Sequence, residues 1–190
     1  MKSDLRNNIL PVGPLMIEHR LIERMVALIE QESAKIREKG QVNIELANAA
    51  ADFFKVYADL CHHGKEEDIL FKELQVKPLS AGDKAMLEEL KSDHVRARGL
   101  VGKLAASAKD IRSQQTKVKA GLIAEIMEDL SKLYRAHIRK EDKQFFIPVM
   151  KYFTKNEQDE MLSKFREFDM TLIHERYKSA VLQYEQGFRI

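Results

Sequence analysis

The sequence predicts an all-α protein, an up-down-up-down four-helix bundle with an additional C-terminal helix. Three observations predict it. Apolar residues recur at alternating three- and four-residue steps over long segments, the spacing that puts side chains on one helix face. The 8 glycines and 4 prolines of the 190 residues fall mostly where such segments stop. No segment keeps the strict alternation of a half-buried strand.

Taken in order, Pro11, Gly13 and Pro14 close a polar leader of residues 1–14. A first helix is predicted from near Leu15 to about Glu38, with Gly40 as its stop. A second runs from about Asn43 to Val76, where Pro78 forbids continuation. Ser80 offers an N-cap for a third, to about Arg112, followed by the polar connection Ser113 to Thr116. A fourth reaches about Ile147, where Pro148 intervenes. Thr154, with Glu157 three residues on, forms a capping box for a fifth helix to about Tyr184. Long helices joined by short connections favour antiparallel neighbours. Residues 15–187 thus read as one helical domain.

Composition narrows the function classes. Apolar residues make up 44% and charged residues 33%, and 32 basic against 30 acidic residues give a net charge of +2. Interleaved charges of both signs argue against a nucleic-acid or membrane surface. A single cysteine, Cys61, allows no intrachain disulfide. The N-terminus is too polar for a secretory signal, and no apolar run approaches the ~20 residues that span a bilayer. By absence of another address, a cytoplasmic location is expected.

The histidines carry the chemistry. Leu15, His19, Ile22, Val26 and Ile29 share one face of the first helix; Val56, Leu60, His63, Glu67, Leu70 and Leu74 share one face of the second. The third offers Leu87, Leu90, His94, Val101 and Leu104. The fourth offers Ile126, Leu130, Leu133, His137, Glu141 and Phe145. One histidine on an apolar face is ordinarily a hydrogen-bonded core residue. Four helices each carrying one, two of them with a glutamate at i+4, differ in kind. Burying a lone carboxylate costs several kcal/mol even after relaxation, and a bound cation compensates it directly.

Depth agrees. A helix of about 25 residues is ~38 Å long, and the steps between these histidines each correspond to about one helix plus a loop. There is also an internal echo: His63-Gly-Lys-Glu-Glu67-Asp68 aligns with His137-Ile-Arg-Lys-Glu141-Asp142, and His19 to His94 spans nearly the same interval. Two helix pairs, each presenting His and then His-x-x-x-Glu, would set two glutamates opposite each other, as suits two bridged metals. On the phase of this stripe, His62 belongs at the rim, Glu66 in solvent, and Cys61 off the face as a packing residue or, secondly, a redox thiol. His174, on a stripe with Met170, Tyr177 and Val181, is balanced between ligand and bystander.

Mixed imidazole and carboxylate donors suit iron, zinc or manganese. One cysteine cannot build a structural zinc site, and neither HExxH nor Glu-x-x-His is present. With Glu18-His19, the segment Cys61 to Phe71, His94, and the segment His137 to Pro148, the chain resembles the hemerythrin-like HHE cation-binding family over roughly Leu15 to Glu185. The resemblance implies two iron ions with an oxo or hydroxo bridge, with Glu67 and Glu141 bridging and His19, His63, His94 and His137 in terminal positions. It further implies a small diatomic or peroxide ligand: dioxygen, nitric oxide or hydrogen peroxide. The alternative is iron buffering or sensing without catalysis, and a third is a metal-free interaction module. No catalytic residue beyond the ligands stands out, and no protein partner is indicated. One departure is notable. Oxygen-carrying members have a second histidine one turn after the third-helix ligand; here that position is Arg98, which cannot ligate but could neutralise a carboxylate.

Overall fold

The computed structural model describes residues 10–111, 116–169 and 171–187, with side chains described from Tyr177 onward in the last stretch. The helices are α1 (Val12–Lys39), α2 (44–75), α3 (Ala81–Ile111), α4 (117–149), α5 (Lys155–Phe168) and α6 (Thr171–Gly187). Among the described residues no strand occurs. Each of α1 to α4 packs on its neighbours in sequence and α4 closes back on α1, so the all-α bundle that the spacing predicts is the observed fold.

Gly40 and Thr154 punctuate the chain as read, and Asn43 and Thr116 add caps that the sequence reading did not name. Gly40 takes φ 69°, a left-handed conformation that an L side chain rarely adopts, and its N–H closes on the Ile36 carbonyl at 2.8 Å. Asn43 caps α2 by accepting from the Leu46 N–H at 2.9 Å. Thr116 caps α4, and Thr154 with Glu157 forms the predicted capping box. The C-terminal segment differs from expectation. It is two helices, because Asp169 leaves the helical region (φ −67°, ψ 115°) and ends α5. Tyr177 of α6 packs against Phe53 and Tyr57 and donates its hydroxyl to Asp52. No helix of the described residues is long and apolar enough to cross a membrane.

Two helices depart from α geometry where it matters. Phe54–His63 and Glu66–Phe71 of α2 are π-helical, and Glu141–Phe145 of α4 forms a further π turn. In α2 the buried residues come in pairs four apart: Phe53-Phe54, Tyr57-Ala58, Cys61-His62, Lys65-Glu66, Ile69-Leu70. At an α-helix's ~100° per residue, four steps of four residues would rotate the last pair about 160° from the first. The wider π turns rotate the other way and, alternating with α turns, offset that drift and hold the five pairs on one face. The predicted stripe through Val56, Leu60 and Glu67 is therefore wrong in phase: Leu60 is 61% exposed. In α4, Pro148 lies just beyond the π turn and has no N–H to return to the preceding turn.

The core is in two parts. A larger apolar cluster around Ile22, Phe54, Leu104 and Leu130 fills one length of the bundle, and a smaller one around Leu15, Phe71, Leu90 and Phe146 fills the other. Between them lies a layer of buried polar side chains.

Candidate metal centre

Each bundle helix delivers to that layer. His19 comes from α1, His62, His63 and Glu66 from α2, His94 from α3, and His137 and Glu141 from α4. All seven are at most 3% exposed. Their donor atoms fall into two groups. His63, Glu66, His94 and His137 form one; His19, His62, Glu66 and Glu141 form the other. Within each group one atom per residue lies within 4.8 Å of every other.

Two carboxylates tie the groups together. Glu66 places Oε1 at 3.2 Å from His62 Nε2 and Oε2 at 3.3 Å from His94 Nε2. Glu141 Oε2 lies 3.1 Å from His19 Nε2 and 3.2 Å from His137 Nε2. The Nε2 atoms of His94 and His137 face each other at 3.2 Å. Donors held by one ion at ~2.1 Å stand about 3.0–3.4 Å apart, so the observed spacings fit a shared cation. The Nε2 atoms of His19, His62 and His63 and both oxygens of Glu66 and Glu141 have no hydrogen-bond partner and are closed to solvent. Buried polar atoms ordinarily find partners; here they point at one another.

The outer ring nitrogens explain the orientation. Every Nδ1 faces a carboxylate: His19 to Asp142 at 2.8 Å, His62 to Glu18 at 2.8 Å, His63 to Asp59 at 3.3 Å, His94 to Glu67 at 2.6 Å and His137 to Asp93 at 3.5 Å. Each carboxylate in turn meets a cation. Arg20 holds Asp142, the buried Lys65 holds Glu18, Lys140 holds Asp93, and Arg98 holds both Asp59 and Glu67 at 2.8 Å. In His19, His62, His63 and His94 a proton on Nδ1, donated outward, fixes the tautomer and leaves the Nε2 lone pair facing inward, whereas His137 Nδ1 makes no hydrogen bond.

Three expectations require correction. Glu66, fully buried, takes the inner position assigned to Glu67, and Glu67 stands outside, 31% exposed, as the partner of His94. His62, expected at the rim, is buried among the inner donors. The π geometry of α2 is the reason, since it turns both His62 and His63 inward and rotates Glu66 after them. His63 thereby supplies an imidazole on the side where Arg98 supplies none. His19, His94, His137 and Glu141 lie where the spacing placed them, and Arg98 pairs with carboxylates as its charge suggests. The side chain of His174 lies outside those described. Sequence reasoning also missed Glu18, Asp59, Asp93 and Asp142 as outer partners, although Asp59-x-x-x-His63 has a readable i, i+4 spacing.

The electrostatics are those of a site whose protons stand in for cations. Burial pulls the His94 pKa down, but the carboxylates of Glu66 and Glu67 beside it outweigh that and hold it at about 9. His62 is lowered by burial and raised more by Glu66 and Glu18, ending well above the usual imidazole value. His19 is likewise raised on balance, by Asp142 and Glu141 against burial. His63 is pushed well below by burial and by its stacked neighbour His94. Groups with raised folded-state values stabilise the protonated form below their unfolded pKa of 6.5 and lose that contribution as the pH climbs through the folded value. The metal-free protein should therefore melt at falling temperature from pH 6.5 towards 9, while a cation-loaded sample should hold its midpoint. A flat profile for the metal-free chain would contradict this reading.

A helical bundle with a buried, doubly grouped set of imidazoles and carboxylates defines a cation-binding domain. The chain belongs to the family described as the Hemerythrin HHE cation binding domain, whose match covers residues 10–149. No curated protein and no solved structure was found to match it. The matched segment spans all seven inner residues and stops before α5.

Proposed function

We propose that the domain holds two iron ions and serves to bind, sense or transform a small diatomic or peroxide ligand. The observation that carries this reading is the convergence of the Nε2 atoms of His19, His62, His94 and His137 on two shared, otherwise unpartnered carboxylates, with His63 in the same cluster. Mixed nitrogen and oxygen donors without thiolate suit iron, and the family's cation binding supports a metal at these residues. Iron bound there would supply a redox couple and coordination positions open to a small ligand.

The chain's own residues set the limits. One group offers three imidazoles with Glu66, and the other offers His19 and His62 with Glu66 and Glu141, so the two sides differ in donor type and not in number. The His19 ring stacks on Phe146 at 5.5 Å, and apolar clusters close the layer on both sides. That enclosure favours small ligands. The outer carboxylates hold each imidazole in place and carry the counter-charge.

The test is anaerobic loading with ferrous iron, metal analysis, and spectra on adding oxygen, nitric oxide and peroxide separately. The expected result is close to two irons per chain and a visible absorption change with at least one of the three. Iron that binds without any spectral response favours the second reading, an iron-holding or iron-sensing role resting on the same residues. A chain that takes up no iron would sink both.

A further inference from the structure

Among the outer carboxylates, Asp142, Asp59, Glu67 and Asp93 are held by cations of the bundle itself, Arg20 on α1, Arg98 on α3 and Lys140 on α4. The chain behind His62 leaves the bundle. His62 Nδ1 meets Glu18 at 2.8 Å, Glu18 is held by the buried Lys65, and the same ammonium reaches Asp169, where α5 gives way to α6. That junction is seated on the turn of α2 that carries His62. Cys61 Sγ lies 4.0 Å from Asp169 Oδ1, and Phe168 covers Gly64 so closely that an added Cβ would come within 2.7 Å of its ring. Both α5 and α6 lie beyond residues 10–149, the segment that matches the family.

Glu18, Lys65 and Asp169 set one positive charge between two negative ones. An outer carboxylate fixes a ligating imidazole and raises its basicity. Were Lys65 to serve Glu18 alone, its ammonium would neutralise that carboxylate and weaken its pull on the Nδ1 proton of His62. Asp169 draws off part of the ammonium's charge and leaves Glu18 the stronger acceptor. It also fixes the position of the ammonium from the far side. We infer that Asp169 is a positioning residue for His62, and that through it the docking of α5 and α6 is coupled to cation binding by His19, His62, Glu66 and Glu141. Coupling is reciprocal: the factor by which docking raises cation affinity is the factor by which the cation stabilises docking. This coupling rests on the metal reading of that group, and not on which metal fills it or on the small ligand it takes.

The test titrates cobalt(II), followed by its visible absorption, into the metal-free full chain and two variants. Asp169→Asn removes the charge and keeps an acceptor for Lys65. Glu185→Gln removes an equal charge from α6, where Glu185 accepts from Arg24 of α1 at 2.7 Å. Asp169→Asn should weaken one cobalt-binding step about tenfold, the low end of what loss of an outer partner costs, and Glu185→Gln should bind as the unsubstituted chain does. Hydrogen exchange reads the coupling from the other end. Saturating cobalt should slow exchange of the Asp169 N–H, which bonds the Phe165 carbonyl at 2.9 Å, more than exchange in the first turns of α5, and Asp169→Asn should lose that difference. A merely structural Asp169 would lower the melting temperature of the metal-free chain and leave cobalt affinity unchanged. Unchanged affinity in Asp169→Asn overturns the proposal, as does an equal loss in both variants. Should Asp169→Asn melt early, exchange in the unsubstituted chain decides: even slowing along α5 rejects the coupling. Those results leave the metal reading standing, whereas an unsubstituted chain that takes up no cobalt overturns both.

Discussion

Glu66→Ala should strip the protein of most of its iron, whereas Glu67→Ala should keep the stoichiometry and lose only affinity. The two residues are adjacent and chemically identical, so the contrast isolates position. Glu66 is fully buried and reaches His62 with one oxygen and His94 with the other. Its removal takes a donor from both groups at once. Glu67 faces the Nδ1 of His94 and shares Arg98 with Asp59. Loss of such an outer partner costs about 10–100-fold in metal affinity. Metal analysis after dialysis against a weak chelator separates the outcomes. Iron retained by Glu66→Ala and lost by Glu67→Ala would restore the plain α-helical register and refute the π-helical one.

Lys65→Met should produce the largest loss of stability of any single change outside the inner donors. Lys65 is fully buried and its ammonium pairs with Glu18 and with Asp169 at the end of α5. Methionine keeps the volume but takes the ammonium from Glu18, itself 4% exposed and still bonded to His62. Breaking a buried ion pair by removing one partner costs about 3 kcal/mol or more, which in a chain of this size lowers the melting midpoint by roughly 6–12 °C. Glu18 also orients His62, so iron affinity should fall as well. Lys91→Met, which breaks an exposed pair with Glu88, serves as the control and should move the midpoint by no more than a few degrees, the measure of ~1 kcal/mol or less. Equal shifts for the two variants would show that Lys65 is merely a packed side chain.

The legible part of this molecule is the part that follows ideal helical periodicity. In α1, α3 and α4 the stripes through His19, His94 and His137 match the buried faces residue for residue. The caps at Gly40 and Thr154 reflect local backbone chemistry, which a sequence states openly. The register of α2 was hidden because π geometry changes the period itself, and an α template then selects Leu60 and Glu67 in place of Cys61-His62 and Glu66. A four-residue recurrence of buried pairs was present in the letters, from Phe53-Phe54 to Ile69-Leu70, but it becomes meaningful only once the wider turn is allowed. The break at Asp169 was hidden for another reason. It is supported by a long-range partner, Lys65, and by Phe168 packed over Gly64, where an added Cβ would come within 2.7 Å of the ring. Neither contact has a local signature. The outer carboxylates were overlooked because acidic residues are abundant on helix surfaces, and only the fold shows which of them face an Nδ1.

The central claim is that five imidazoles and two carboxylates from four helices hold a pair of iron ions. Anomalous diffraction at the iron edge from crystals of the iron-loaded chain tests it most directly. The account predicts two peaks about 3.5–4 Å apart, one beside the Nε2 atoms of His63, His94 and His137 and one beside those of His19 and His62, with Glu66 between them. A single peak, or peaks away from these nitrogens, would contradict it.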